Sequence, residues 1–348
     1  MFKNFSLVLI FSFIGLIIVE LFLILFGPYK HLTTEKFQTS DSIYERPSNF
    51  IQKQPHPDLE YIIDNYFDLD GVKNYSNINT SKKKNIIGFF GDSMTENINV
   101  DKEFEFTNIL NKKITGFDIV NYGIGGYNLE QTFIRFLKYQ NHDFKYVIFF
   151  MMPGDHFERN LIDFDGNNLP SIIGPDVNLF FKLLGKLNIT YLVIDVYFNF
   201  RYYFQNYHKT GIENYPSLYA NKIYSKFYTN HERKEDNFDK ILIYLNELNF
   251  KLGRKFILIL YPNKEMINFV KERLKSDLNS IDYYVLDEKL LDKDLQFKND
   301  SHWNELGNIY FADNLSKILN NYGVKFNKID FEHYKKKIDK LYQENNKR

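Results

Sequence analysis

The chain has 348 residues, 44 Lys+Arg against 44 Asp+Glu, 44% hydrophobic side chains and no cysteine. Balanced charge argues against a protein that grips nucleic acid by bulk electrostatics, which needs a basic face. The missing cysteines exclude a disulfide framework, a thiolate metal site and a cysteine nucleophile. Apolar content of this size is that of a globular chain, and the aromatic share of 18% reads as coding bias rather than function.

Residues 1–30 are expected to form an N-terminal transmembrane signal anchor. Phe5 to Phe26 reads FSLVLIFSFIGLIIVELFLILF and holds one ionisable group, Glu20. A helix of that length spans about 33 Å, enough for a hydrocarbon core of about 30 Å. The stretch is longer than a signal-peptide core and ends in Gly27-Pro28-Tyr29-Lys30 without a small-residue cleavage site. Lys3 before the span and Lys30 and Lys36 after it barely decide orientation; the cysteine-free body favours export, with the globular part extracytoplasmic or periplasmic. Glu20 is costly at membrane depth and is read as lying near an interface or protonated.

Residues 31–84 read as a polar linker and an irregular lead-in. From there to about 325, short apolar runs alternate with amphipathic stretches. The runs are Asn85–Phe90, Phe117–Val120, Tyr146–Met152, Lys255–Tyr261 and the weaker Tyr283–Leu286. Helical patterns cover Leu129–Tyr139 and Asp236–Lys251, the second with Phe238, Ile241, Leu242, Leu245, Leu248 and Leu252 on one stripe. Uniformly apolar strands alternating with helices indicate an α/β fold, a parallel sheet covered on both faces. Ligands of such sheets sit beyond the carboxyl ends of the strands. An insertion at about 156–235 interrupts the alternation and is either a wall of the cleft or a packing element. The segment 326–348, with Lys335-Lys336-Lys337, reads as a charged, solvated helical tail.

The strand ends carry the chemistry. Gly91-Asp92-Ser93-Met94-Thr95 follows the first strand, Asn121-Tyr122-Gly123-Ile124-Gly125-Gly126-Tyr127-Asn128 the second, and Pro153-Gly154-Asp155-His156-Phe157 the third. Asp300-Ser301-His302-Trp303-Asn304 and Gly307 lie near the C-terminus. A serine on a strand-to-helix turn presents its hydroxyl unhindered. A histidine can take the hydroxyl proton while an acid orients the imidazole. Glycine-rich turns supply backbone N–H groups for an oxyanion. Each signal is weak alone; the four in this order are not.

In that order they resemble the SGNH/GDSL hydrolase superfamily over roughly residues 85–320. The resemblance implies a flavodoxin-like three-layer α/β/α sandwich, with Ser93 as nucleophile, His302 and Asp300 completing a triad, and the N–H groups of Ser93 and Gly126 in the oxyanion hole. Two departures stand out. The family's third block carries Gly-Asn-Asp, whose Asn donates to the oxyanion; ungapped alignment with Gly154, His156, Phe157 and Asn160 in register puts Asp155 at that position. Shifting by one places Gly154 there instead. An ionised carboxylate donates nothing, so either register leaves one donor in question. The second departure is the Asp300-x-His302 spacing, where Asp-x-x-His is commoner. This D-x-H-W form is similar to the motif of alginate-type O-acetyltransferases, although there it precedes the serine block.

His156 either lines the site or replaces a structural Asp, and Trp303 either walls the site or packs. His142, His208 and His231 have no companions at metal-ligand spacing and read as structural or exposed; neither a metal nor an organic cofactor is expected. The expected activity is serine-dependent ester hydrolysis on an acylated envelope carbohydrate or lipid. The alternatives are polysaccharide O-acyl transfer and a catalytically silent binding protein on the same fold.

Overall fold

The computed structural model describes residues 15–19, 45–46, 48–73, 80–155, 161–165, 169–172, 237–274, 281–298 and 300–345. By its internal contacts the chain divides into two units, 1–40 with 175–231 and 41–174 with 232–348. Of the first unit only residues 15–19 are described; they are helical, with Leu16, Ile17, Ile18 and Val19 exposed. Among the described residues no helix is long and apolar enough to cross a membrane. The remainder of the expected span, and the aromatic stretch Tyr191–Phe204, lie outside them.

The second unit is mixed α/β around a five-stranded parallel sheet. Its strands are β3 (Ile86–Phe90), β4 (Asp118–Asn121), β5 (Phe144–Met151), β8 (Lys255–Leu260) and β9 (Asp282–Val285). They lie in the order β4-β3-β5-β8-β9 and all pair in parallel. Counted within the sheet this is 2-1-3-4-5, the flavodoxin-like order, with its switch point between the first and third strands. That point falls between β3, which leads into Ser93, and β5, which leads into Asp155.

Uniform apolarity is the reason these segments sit inside. Every residue of β3 is buried, as are the last five of β5 and of β8, which requires cover on both faces. Successive side chains point to opposite faces, so Phe89 and Phe90 seed separate aromatic clusters. Phe90 stacks on Tyr122 at 4.6 Å and meets Phe136 and Phe149 at 5.5 Å each. On the other face Phe89 meets Phe106, which meets Phe311, which meets Trp303 at 4.6 Å. Part of the aromatic surplus therefore fills the core.

The described α-helices of this unit are α1 (Ser93–Glu96), α2 (Phe106–Asn111), α3 (Leu129–Tyr139), α4 (Phe238–Lys251), α5 (Lys264–Leu274), α6 (Glu305–Asn320) and α7 (Phe331–Asn345). On α4 the expected stripe holds for Phe238, Ile241, Leu242 and Leu245, all buried. It fails at Leu252, the C-cap, which is 48% exposed. Of the expected insertion, only β6 (Ile162–Phe164) and β7 (Pro170–Ile172) are described, paired antiparallel.

Two expectations need correction. The lead-in is not irregular: β1 (Phe50–Pro55) and β2 (Ile62–Phe67) form an antiparallel hairpin. In β2 residues Ile63, Asn65 and Phe67 are buried while Ile62, Asp64 and Tyr66 are exposed. Polar Asn65 on the inward face, donating to Ile98 O at 2.9 Å, hides the period of two. The tail is not wholly solvated either. Tyr334 of α7 is buried, and Phe331, Ile338 and Leu341 pack against the core.

Candidate active site

The turn after β3 is shaped by close approach. A Cβ on Gly91 would lie 2.7 Å from Phe150 O and 2.2 Å from Thr95 Oγ1, so no larger residue fits. Asp92, extended at φ −89°, caps α1 by accepting Met94 N–H at 2.9 Å. Ser93 then opens the helix. Asn97 ends it in the left-handed conformation at φ 56°. The carbonyls left over at that end are met by the buried Lys73, whose Nζ donates to Glu96 O at 3.0 Å and Asn97 O at 2.7 Å. Burial lowers the Lys73 pKa, against the opposing charges of Glu105 and Glu96.

The second glycine-rich turn is seated on this helix. Asn121 Nδ2 donates to Thr95 O at 2.6 Å while its Oδ1 accepts Gly123 N–H at 2.9 Å. Ile124 N–H reaches Gly91 O at 3.0 Å. Gly125 N–H donates to Glu96 Oε2 at 2.7 Å, and a Cβ on Gly125 would lie 3.3 Å from Ser93 Cβ. The loop thus packs directly on the serine, and Gly126 follows at φ 81°. Leu129 N–H donates to Asp155 O at 2.8 Å, which ties this turn to the third.

In the third turn Gly154 takes φ 98°. Asp155 Oδ2 accepts Met152 N–H at 2.7 Å, and Asp155 N–H returns to Met152 O at 3.1 Å. The carboxylate acts as an acceptor closing its own turn and, while ionised, donates nothing. At the position where the family's third block carries its donating Asn, the Asp155 side chain thus accepts within its own turn. His156 and Asn160 lie outside the described residues.

Near the C-terminus Asp300 and His302 are joined directly. Asp300 Oδ1 accepts His302 N–H at 3.1 Å, an Asx turn, and the same oxygen bonds His302 Nδ1. The two-residue spacing is what lets one carboxylate do both. Asp300 Oδ2 accepts Asn99 Nδ2 at 2.8 Å. The loop is closed by Phe297 N–H to His302 O at 3.0 Å and by the bridge between Gln296 and Trp303. Trp303 is 1% exposed and donates Nε1–H to Leu290 O at 3.1 Å, so it packs rather than walls a cleft.

Electrostatics couple this loop to the serine turn. Burial pushes the His302 pKa down, but the bond and charge of Asp300, with Asp92 and Glu96 behind, outweigh it, and the net shift is upward. Burial also raises Asp300, and is outweighed by the His302 bond and charge and by backbone N–H groups, leaving it below the usual carboxylate range. Asp92 is pushed up to about 6 by burial, against the helix amides and the charge of His302. Asp92, the residue before Ser93, and His302 therefore feel each other's charge. Among the described residues no hydrogen bond joins Ser93 to His302; such bonds are often long until substrate is bound.

Sequence reasoning missed Arg46, Glu96 and Asn99. The last two lie six residues or fewer beyond Ser93, so their proximity was legible. Arg46, whose Nε donates to Glu96 Oε1 at 2.6 Å, left no signal. His142, read as structural, bonds Tyr122 Oη through Nδ1 at 2.8 Å. Among the described residues no three side chains are grouped to hold a metal ion.

No family model matches this chain, and no curated protein matches it. Among solved structures it is similar to a member of the lipolytic protein G-D-S-L family from Veillonella parvula DSM 2008, at 15% identity and a TM-score of 0.37. That match covers 68% of this chain and 98% of the other. A likeness so loose carries no weight for fold or function, and both rest here on the chain's own residues.

Proposed function

We propose that this chain is a serine-dependent ester hydrolase of the SGNH/GDSL kind, working through an acyl-enzyme. The observation that carries the reading is the Asp300–His302 bond, with His302 feeling the charge of Asp92, the residue next to Ser93. With Nδ1 engaged by Asp300, His302 has Nε2 left to accept a proton. Ser93 Oγ attacks the ester carbonyl as its proton passes to His302. The oxyanion is met by the N–H groups of Ser93 and Gly126. Collapse expels the alcohol, which takes the proton from His302. Water, deprotonated by His302, attacks the acyl-enzyme and releases the acid and Ser93.

With Asp155 closing its own turn, the oxyanion hole has two backbone donors. Losing one donor typically costs about 10²–10³ in turnover, so a slow esterase is expected. The apolar stretch Phe5–Phe26 supports membrane anchoring and the cysteine-free body favours export, and a domain outside the cytoplasm favours ester-bearing envelope carbohydrate or lipid as substrate.

The test is hydrolysis of p-nitrophenyl acetate by the full chain, with fluorophosphonate labelling alongside. Wild type is expected to turn over and to label at Ser93. Ser93→Ala and His302→Ala are expected to lose about 10³-fold or more in kcat. Turnover surviving Ser93→Ala sinks the reading. Acetylated sugar formed in place of free acetate, when an oligosaccharide is added, moves the assignment from hydrolysis to acyl transfer.

A further inference from the structure

Glu96 is a buried carboxylate that the catalytic scheme does not use. Its side chain is fully enclosed, at 0% exposure, and Arg46 beside it is 5% exposed. Oε1 accepts Arg46 Nε–H at 2.6 Å and Oε2 accepts Gly125 N–H at 2.7 Å. A buried carboxylate is tolerated only when its charge is matched and its lone pairs are filled; the guanidinium supplies the first and Gly125 helps with the second.

We propose that Glu96, held by Arg46, is the positioning residue of the oxyanion loop, and fixes the direction of the Gly126 N–H relative to Ser93. This rests on the reading of Ser93 as the nucleophile. Between the N–H of Gly125 and that of Gly126 stand only the φ and ψ of Gly125, because the peptide units themselves are planar. The segment Gly123-Ile124-Gly125-Gly126 is rich in the most permissive residue and needs an anchor. Glu96 provides one from the same short helix that begins with Ser93. The glycine is seated between them: a Cβ there would lie 3.0 Å from Glu96 Oε2 and 3.3 Å from Ser93 Cβ. One rigid helical turn thereby sets both the nucleophile and the loop that receives the negative charge. Donors fixed in advance need no reorganisation in the transition state.

Glu96 also lies among the anions that favour protonated His302, together with Asp300 and Asp92. That gives the test a readout independent of turnover. In full-length Glu96→Gln, kcat for p-nitrophenyl acetate is expected to fall about tenfold or more with KM little changed, less than the 10²–10³ of a deleted donor. The His302 imidazole, followed by NMR, is expected to titrate at lower pH than in wild type, and the Gly125 amide to exchange faster. Arg46→Gln is the comparison for stability, since it disturbs the same buried pair while the carboxylate itself remains. A folded Glu96→Gln variant with wild-type kcat, or with Gly125 exchanging as in wild type, overturns the proposal.

Should Glu96→Gln fail to fold, Glu96→Asp decides. The charge stays but the shorter side chain cannot reach both partners, so kcat is expected to fall without the change in His302. A Glu96→Asp variant with wild-type kcat and Gly125 exchange overturns the proposal. If wild type neither hydrolyses nor labels, the esterase reading fails by itself, and the exchange and titration data still decide whether Glu96 holds the loop.

Discussion

The central sheet and the lead-in hairpin contribute to the site in opposite ways. The sheet is held by apolar burial and places the loops: Ser93 after β3, Gly125 after β4, Asp155 after β5. The lead-in contributes few core side chains but several polar contacts across long sequence separations. Arg46 reaches Glu96, His56 Nε2 bonds Glu305 Oε1 at 2.7 Å, and Asp58 accepts Lys298 N–H at 3.0 and 3.1 Å. The last two flank the loop that carries Asp300 and His302. Apolar burial is non-directional and fixes where a loop emerges; hydrogen bonds are directional and fix how it is turned.

The sharpest way to break this division is to remove His56. Its Nδ1 accepts the N–H groups of Asp58 and Leu59 at 3.1 and 3.0 Å, so Nε2–H is left to serve the buried Glu305. In His56→Ala that carboxylate keeps, among the described residues, Tyr342 Oη at 3.3 Å as its one side-chain partner. Stranding a buried charge costs about 3–5 kcal/mol, measurable by urea unfolding, and kcat is expected to drop as well because the His302 loop loses its support. The control from the sheet is Leu258→Ala in β8, fully buried. A cost of about 2–5 kcal/mol is expected there, with kcat nearly unchanged below the unfolding transition. If the two variants lose activity alike, the division between placing and turning is wrong. Asp58→Asn is the milder version: it keeps an acceptor for Lys298 N–H but not the charge, and about 1 kcal/mol or less is expected.

The same division governs what was legible in the sequence. Strands announced by uniform apolarity fall within two residues of the expected bounds, as Lys255–Leu260 does against Lys255–Tyr261. The helix Leu129–Tyr139 agrees at both ends, because its Asn128–Gln131 capping box marks the start. Asp300 and His302 were singled out by the resemblance of their block, and their bond is local enough for a two-residue spacing to allow it. Arg46–Glu96 and His56–Glu305 were not, since a polar pair separated by 50 or 249 positions leaves no periodicity. For Asp155 the block alignment gives position but not rotamer; what the structure adds is that the carboxylate accepts the local Met152 amide.

The smallest expected effect concerns Asp92, the residue through which the serine turn senses the His302 loop. Hydrolysis needs neutral His302, so its rate should rise with pH through the His302 pKa, which lies above the ordinary imidazole value of about 6.5. Asp92→Asn keeps a side-chain oxygen to cap Met94 N–H but removes one of the anions favouring the imidazolium. The acid limb of the rate profile should therefore move to lower pH, and an unmoved limb would detach Asp92 from His302. Stability gives a second, separate sign. Burial raises folded Asp92 to about 6, so its contribution is full below its unfolded value of about 3.8 and is lost as pH rises through about 6. Asp92→Asn should accordingly gain on wild type in urea unfolding at pH 8 and lose that advantage near pH 4. A gap that widens towards acid would mean the carboxylate is held as a stabilising anion, and that the serine turn, like the His302 loop, is oriented by charge rather than merely placed by the sheet.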